Sequence, residues 1–354
     1  MIAAPPAPPT DRRRLRRMRL RWVAIPAAIA AAALTGLVSE AVPAHSVEPA
    51  RSWRITVVAP PASASAAGTE TVAAVTPVPP ASADPGAGSA APQSPAPATN
   101  ALVRTELRFT DATRSTPARG AVPGLATRTI RTVIIRPAQS GGPLPVVVFA
   151  HGYDASPELY LPLLESWAGA GYLVVAPDSP GSAGDLAGVA TRDDLANQAE
   201  DLSFVLTGVL ADPALGADPS RVAAAGHSDG GTAVASLALD PAADPRLDAF
   251  LVLSGDTPDG AIRADPAAPR PTLAVVGDHD EYGNLDATTA FYDNLVSNKT
   301  LLVALGGDHL GTYTDAGQLA EAVRAATVQF LDSSLTTGRG SVSVDGRLLS
   351  AQAE

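Results

Sequence analysis

The chain of 354 residues contains no cysteine. That excludes a disulfide scaffold, a thiol nucleophile and any thiolate metal site. It leaves the compartment open, because a secreted protein with a large core can do without disulfides. Aromatic residues make up only 4% of the chain, and few of them fall in residues 1–100, which are rich in Pro, Ala and Ser. About 250 residues of ordinary globular composition remain, and one domain of that size buries roughly 70–75% of its unfolded surface without staples.

Basic residues are also in short supply: 25 Lys and Arg face 36 Asp and Glu, a net charge of -11. Seven Arg and one Asp give residues 1–21 a charge of +6, and subtracting that from -11 leaves -17 for the rest. So acidic a body lacks the clustered cations that neutralise phosphates, and no nucleic-acid partner is expected. The acidity serves solubility.

The N-terminus reads as an address. Arg12, Arg13, Arg14, Arg16, Arg17, Arg19 and Arg21 precede an apolar run from Trp22 to Val38. A positive region, an apolar region and the small residues of Ser39-Glu40-Ala41 or Val42-Pro43-Ala44 make a signal peptide with a cleavage site. The 17-residue run is also at the lower limit for spanning a bilayer, so a membrane tether through residues 22–38 is the alternative. Arg12-Arg13-Arg14-Leu15 fits a twin-arginine export signal. Either way the Arg cluster stays in the cytoplasm and the rest passes outside, giving a secreted or membrane-tethered protein of the cell envelope. The expected division is signal peptide or anchor over 1–44, a disordered linker over 45–100, the main folded domain over 101–333 and a C-terminal tail over 334–354. The Pro/Ala/Ser-rich stretch 59–100 cannot bury enough apolar surface to offset its ordering entropy.

From residue 101 onward the pattern changes. Short apolar runs at 146–149, 172–175, 222–225, 250–253, 273–276 and 301–304 are bounded by Gly, Pro or Asp and suit strands buried on both faces. Strands near 103–109 and 129–136 precede them. Helical stretches lie at 158–169, 192–210, 230–239, 286–297 and 316–331. In the clearest, Leu195, Leu202, Val205, Leu206 and Val209 share one face, and Asp193, Asp194, Glu200 and Asp201 take the opposite, polar face. Such alternation predicts an α/β fold: a mainly parallel eight-stranded sheet covered by helices on both sides. Its ligand site lies beyond the carboxyl ends of the strands.

Directly after the strand at 222–225 comes Gly226-His227-Ser228-Asp229-Gly230-Gly231. This Gly-x-Ser-x-Gly turn between strand and helix thrusts a Ser hydroxyl into the open. A hydroxyl needs a base to take its proton, and the base needs a third group to orient it. Among five His, His45 lies before the linker, His227 sits inside the elbow, and His151, His279 and His309 follow strands. The chain order Ser, acid, His selects His309. Asp280, in Gly277-Asp278-His279-Asp280-Glu281, is the preferred acid, with Asp278 and Asp256 as rivals. Backbone N–H groups of Tyr153 and Asp229 are the candidate oxyanion donors. A metal site from Asp278, His279, Asp280, Asp308 and His309 is the competing reading, but it gives Ser228 no role; the expectation is no metal.

These residues resemble the α/β-hydrolase fold family, in the branch of dienelactone-hydrolase-like, platelet-activating-factor-acetylhydrolase-like and cutinase-like esterases. The resemblance runs from about Arg104 to Leu331. His151-Gly152-Tyr153, Gly226 to Gly231, Gly277 to Asp280 and Asp308-His309 match its oxyanion loop, elbow, acid and base in order. It implies Ser228 as nucleophile, Asp280 as acid, His309 as base, and hydrolysis of small or lipid-like esters through an acyl-enzyme, without a cofactor. Polyester hydrolases of that branch carry Met after the nucleophile and an aromatic after the sixth strand. Here Asp229 and Ser254-Gly255-Asp256 stand there, which removes the support for an aromatic clamp and for cleavage of plastic or cutin. If it faced the cleft, a carboxylate at 229 would also disfavour anionic substrates. About 18 residues separate Leu253 from Thr272, so no large lid is expected. A peptidase or amidase on the same triad, and an inactive tethered binding module, are the alternatives.

Overall fold

The computed structural model describes residues 101–240, 243–258 and 269–354, together with the backbone of 55–58. The signal or anchor segment, its tether and nearly all of the 45–100 segment lie outside the described residues. Among the described residues, no helix is long and apolar enough to cross a membrane.

Among the described residues, ten strands form one sheet: β1 (Ile55–Val58), β2 (Leu102–Asp111), β3 (Arg128–Pro137), β4 (Leu144–Ala150), β5 (Leu173–Asp178), β6 (Ala217–His227), β7 (Ala249–Leu253), β8 (Thr272–Gly277), β9 (Lys299–Ala304) and β10 (Leu349–Ala353). Their spatial order is β1-β2-β3-β5-β4-β6-β7-β8-β9-β10. Strands β4 to β9 pair in parallel, while β1, β2, β3 and β10 join antiparallel. The eight strands expected from the apolar runs are the centre of this sheet, and it has the α/β-hydrolase fold.

Alternation along each strand divides the core in two. Val146, Val148, Ala224, Val252, Ala274 and Val276 face one side, against α2 (Leu195–Ala211), α3 (Asp229–Leu239) and α4 (Asn284–Asn294). Val147, Phe149, Ala223, Ala225, Leu251 and Val275 face the other, against α1 (Leu161–Gly169) and α6 (Gln318–Thr337); the one-turn α5 (Gly311–Thr314) precedes α6. Burying each Val, Leu or Phe contributes about 1.5–3 kcal/mol, which is why these strands are apolar at every position and not only at alternate ones. Parallel crossovers are right-handed. The chain leaves β4 toward β5 through α1 and returns past β4 to β6 through α2, so the two helices cover opposite faces. The reversal opens a crevice beside the ends of β4 and β6.

The structure departs from the sequence reading at three places. Asp194 and Asp201 do not face solvent. The Arg128 guanidinium, fully buried on β3, binds Asp194 at 2.7 Å and Asp201 at 2.6 Å, and Arg114 adds 3.0 Å to Asp201. A helix wheel cannot reveal a cation waiting on a neighbouring strand, and buried carboxylates survive only when so paired. The segment 334–354 is not a loose tail either: α6 runs on to Thr337, and β10 pairs with β9 from Leu349↔Ala304 to Ala353↔Thr300. Only Leu349 of that strand is buried, so as an edge strand it carries almost no hydrophobic signal. Residues 55–58, assigned above to the linker, pair with β2 from Ile55↔Phe109 to Val58↔Glu106. The expected absence of a lid rests on 259–268, which lie outside the described residues.

Candidate active site

β6 ends at His227 and α3 begins at Asp229, so the turn between them is a single residue. Ser228 makes that turn at φ 54, ψ -122, a backbone conformation that side chains rarely adopt and that costs of order 1–3 kcal/mol. Its N–H donates to the Leu253 carbonyl at 2.9 Å, tying the elbow to β7. The glycines permit the approach of helix to strand. A Cβ at Gly226 would strike the Gly230 carbonyl, and one at Gly230 would strike the Ala150 carbonyl on β4.

His309, in the loop after β9, places Nε2 3.0 Å from Ser228 Oγ. Its Nδ1 lies 2.7 Å from Oδ2 of Asp280, in the loop after β8. The Asp280 side chain is fully buried. Burial opposes its ionisation, but the hydrogen bond and charge of His309 and the Tyr282 N–H outweigh that and hold the carboxyl below its usual value. The rivals lie elsewhere. Asp278 is exposed and accepts the Gly306 N–H at 2.6 Å, and Asp256 accepts the Thr257 N–H at 2.6 Å. His279 is exposed, and Asp308 accepts the Gly311 N–H at 2.5 Å. Among the described residues, no three His, Asp or Glu side chains converge as a metal site would require.

Two other histidines hold the scaffold. His151 Nε2 accepts the Ser179 N–H at 2.9 Å, so its proton sits on Nδ1, 2.7 Å from the Gly152 carbonyl. His227 belongs to a buried chain. The Gly152 N–H donates to the Tyr160 hydroxyl at 3.2 Å, that hydroxyl donates to His227 Nδ1 at 2.8 Å, and His227 Nε2–H donates to the His309 carbonyl at 2.8 Å. Burial pushes the His227 pKa down to about 3, keeping the ring neutral. The chain ties the loop after β4 to the loop that bears His309. It also occupies the Gly152 N–H, which leaves the Tyr153 N–H unengaged. The Asp229 N–H, first in α3, has no acceptor within the helix.

Ser228 and His309 open onto a cleft of ≈ 990 Å³. Leu159, Leu195, Pro258, Tyr282 and Leu310 supply apolar wall. Asp229 lines it too, but does not stand alone: Arg192 Nε–H donates to its Oδ2 at 2.9 Å, and the guanidinium lies 4.7 Å from the Tyr153 ring centre. The loop between β5 and α2 that carries Arg192 is held by Arg119. This almost fully buried side chain donates to the carbonyls of Pro180, Gly181, Ala183, Leu186 and Ala187. Arg119→Met strands those carbonyls and is expected to lower the unfolding free energy by ~3 kcal/mol. Urea denaturation measures it, and an unchanged midpoint would show that the loop holds without Arg119. Periodicity shows none of Arg119, Tyr160 or Arg192, because each acts on residues far away in sequence.

A family model described as Chlorophyllase matches residues 119–274. The match takes in the elbow and the loop after β4 and ends before Asp280 and His309. A ferulic acid esterase from Streptomyces cinnamoneus shares 21% identity with a TM-score of 0.54, over 70% of this chain and 94% of that one. One of two fungal esterases from Rhizomucor miehei shares 14% identity with a TM-score of 0.49, over 66% of this chain and 84% of that one. No curated protein matches. Taken with the strand order, the likeness to the ferulic acid esterase shows that this chain has the α/β-hydrolase fold.

Proposed function

We propose that the protein is an exported serine hydrolase that cleaves small or lipid-like carboxylic esters through an acyl-enzyme on Ser228. The observation that carries the proposal is the line from Ser228 Oγ through the His309 ring to Asp280, with its 3.0 and 2.7 Å steps beside an open cleft. Asp280 holds the proton of His309 on Nδ1, so the Nε2 lone pair faces the hydroxyl. As Oγ attacks the ester carbonyl carbon, its proton passes to Nε2. The carbonyl oxygen becomes an oxyanion, met by the Tyr153 and Asp229 N–H groups. The tetrahedral species expels the alkoxide, which takes the Nε2 proton and leaves as the alcohol. Water, deprotonated by the same nitrogen, then releases the acid and restores Ser228. No cofactor enters this sequence. The apolar walls suit an uncharged acyl or alkyl group, and Asp256 and Glu281 on the rim disfavour anions. Export rests on the Arg cluster and the run from Trp22 to Val38, which would leave the protein secreted or tethered to the membrane.

A fluorophosphonate probe followed by peptide mass spectrometry tests the nucleophile. The expected adduct sits on Ser228 and blocks hydrolysis of p-nitrophenyl acetate. A probe-resistant enzyme that still hydrolyses the ester would defeat the proposal.

A further inference from the structure

Among the described residues lining the cleft, Arg192 is the only Arg or Lys, against the carboxylates of Asp154, Asp229, Asp256 and Glu281. It touches the side chains of both residues whose N–H groups are proposed to face the oxyanion. Its Nε–H donates to Asp229, and its guanidinium carbon lies over the Tyr153 ring, 4.7 Å from the ring centre. The Tyr153 ring is itself anchored, since its hydroxyl donates to the Ala190 carbonyl at 3.1 Å, two residues before Arg192. The elements here are thus a fixed aromatic platform, a guanidinium laid on it, and a carboxylate held by that guanidinium. Asp229 follows the nucleophile directly. A carboxylate free to turn toward the cleft would oppose the negative charge that develops on the ester oxygen, and would favour the protonated form of His309.

We infer that Arg192 is a positioning residue: seated on Tyr153, it neutralises the Asp229 carboxylate and holds it away from the oxyanion. The inference rests on the function proposed above. As a surface pair, Arg192 and Asp229 contribute little to stability; the consequence is for the transition state. Like-charge opposition at the reacting oxygen affects kcat, whereas a substrate-binding cation would affect KM.

The test compares Arg192→Ala in two backgrounds, native Asp229 and Asp229→Asn, with p-nitrophenyl butyrate across pH. In the native background kcat is expected to fall about tenfold, KM to change little, and the acidic limb of kcat/KM to move to higher pH, because an uncompensated carboxylate stabilises the imidazolium. In the Asn background, with no charge to restrain, both effects should largely vanish. Arg192→Lys, which keeps the charge, should retain most of kcat. An equal loss in both backgrounds, or a loss confined to KM, overturns the inference. Turnover that vanishes in Ser228→Ala shows that the underlying proposal stands and leaves the Arg192 comparison to decide. Turnover indifferent to Ser228→Ala overturns both.

Discussion

Ser228→Ala is expected to lower turnover of p-nitrophenyl butyrate by about 10⁴- to 10⁶-fold, the range set by removing a nucleophile from a Ser-His-Asp assembly. The backbone at 228 stays held by the N–H bond to Leu253 and by the Thr232 N–H donating to the Ser228 carbonyl. The substitution deletes only the Oγ that faces His309, so the fold, read by circular dichroism, and the KM should change little. The residual rate comes from binding and the oxyanion donors. A variant as active as the native enzyme sinks the nucleophile assignment. A native enzyme with no turnover of acetate or butyrate esters would instead favour an inactive module on the same fold.

Asp280→Asn should cost about 10⁴ in kcat. Its carboxylate accepts from His309 Nδ1 and from the Tyr282 N–H. An amide in that place can donate to Nδ1, which moves the ring proton to Nε2 and points a donor at Ser228, leaving no base. Because the Asp280 carboxyl lies below its ordinary value, it stays ionised throughout the range in which an imidazole titrates. Protonation of Asp280 should therefore not limit kcat/KM until the pH falls below the ordinary carboxylate range. Asp278→Asn, two residues away, should leave kcat within about twofold, since that side chain caps the Gly306 N–H at the surface. The reverse pattern would move the acid to Asp278 and contradict the observed 2.7 Å contact. Steady-state kinetics on the two variants, with circular dichroism as the folding control, decides.

Much of this architecture can be read along the chain because its physics is local or periodic. A strand buried on both faces is apolar at every position, so β4, β7, β8 and β9 stand out as unbroken runs. An elbow that packs a helix tightly on a strand leaves no room for Cβ atoms, so Gly226 and Gly230 mark Ser228 before any coordinates exist. Strand-then-loop order brings Asp280 and His309 forward as candidates, because every loop at the carboxyl end of a parallel sheet opens on the same rim.

What was missed is nonlocal. Asp194 and Asp201 look like the polar face of α2, and only the docking of β3 turns that face inward against Arg128. β10 has one buried residue and becomes a strand because β9 offers it an unpaired edge. Arg119 and Arg192 look like ordinary surface charges until the loop between β5 and α2 closes over the one and under the other. His227 is legible as part of a motif, but its partners, Tyr160 and the His309 carbonyl, are 67 and 82 residues away.

By itself, then, the sequence determined the alternation of elements, the glycine-framed serine and the short set of acids and bases that could serve it. The tertiary structure alone decided which carboxylate reaches His309, which amides remain unengaged, and which cation meets Asp229. Apolar periodicity and steric exclusion are recorded in neighbouring residues, whereas a hydrogen bond across the sheet has no sequence neighbour to record it.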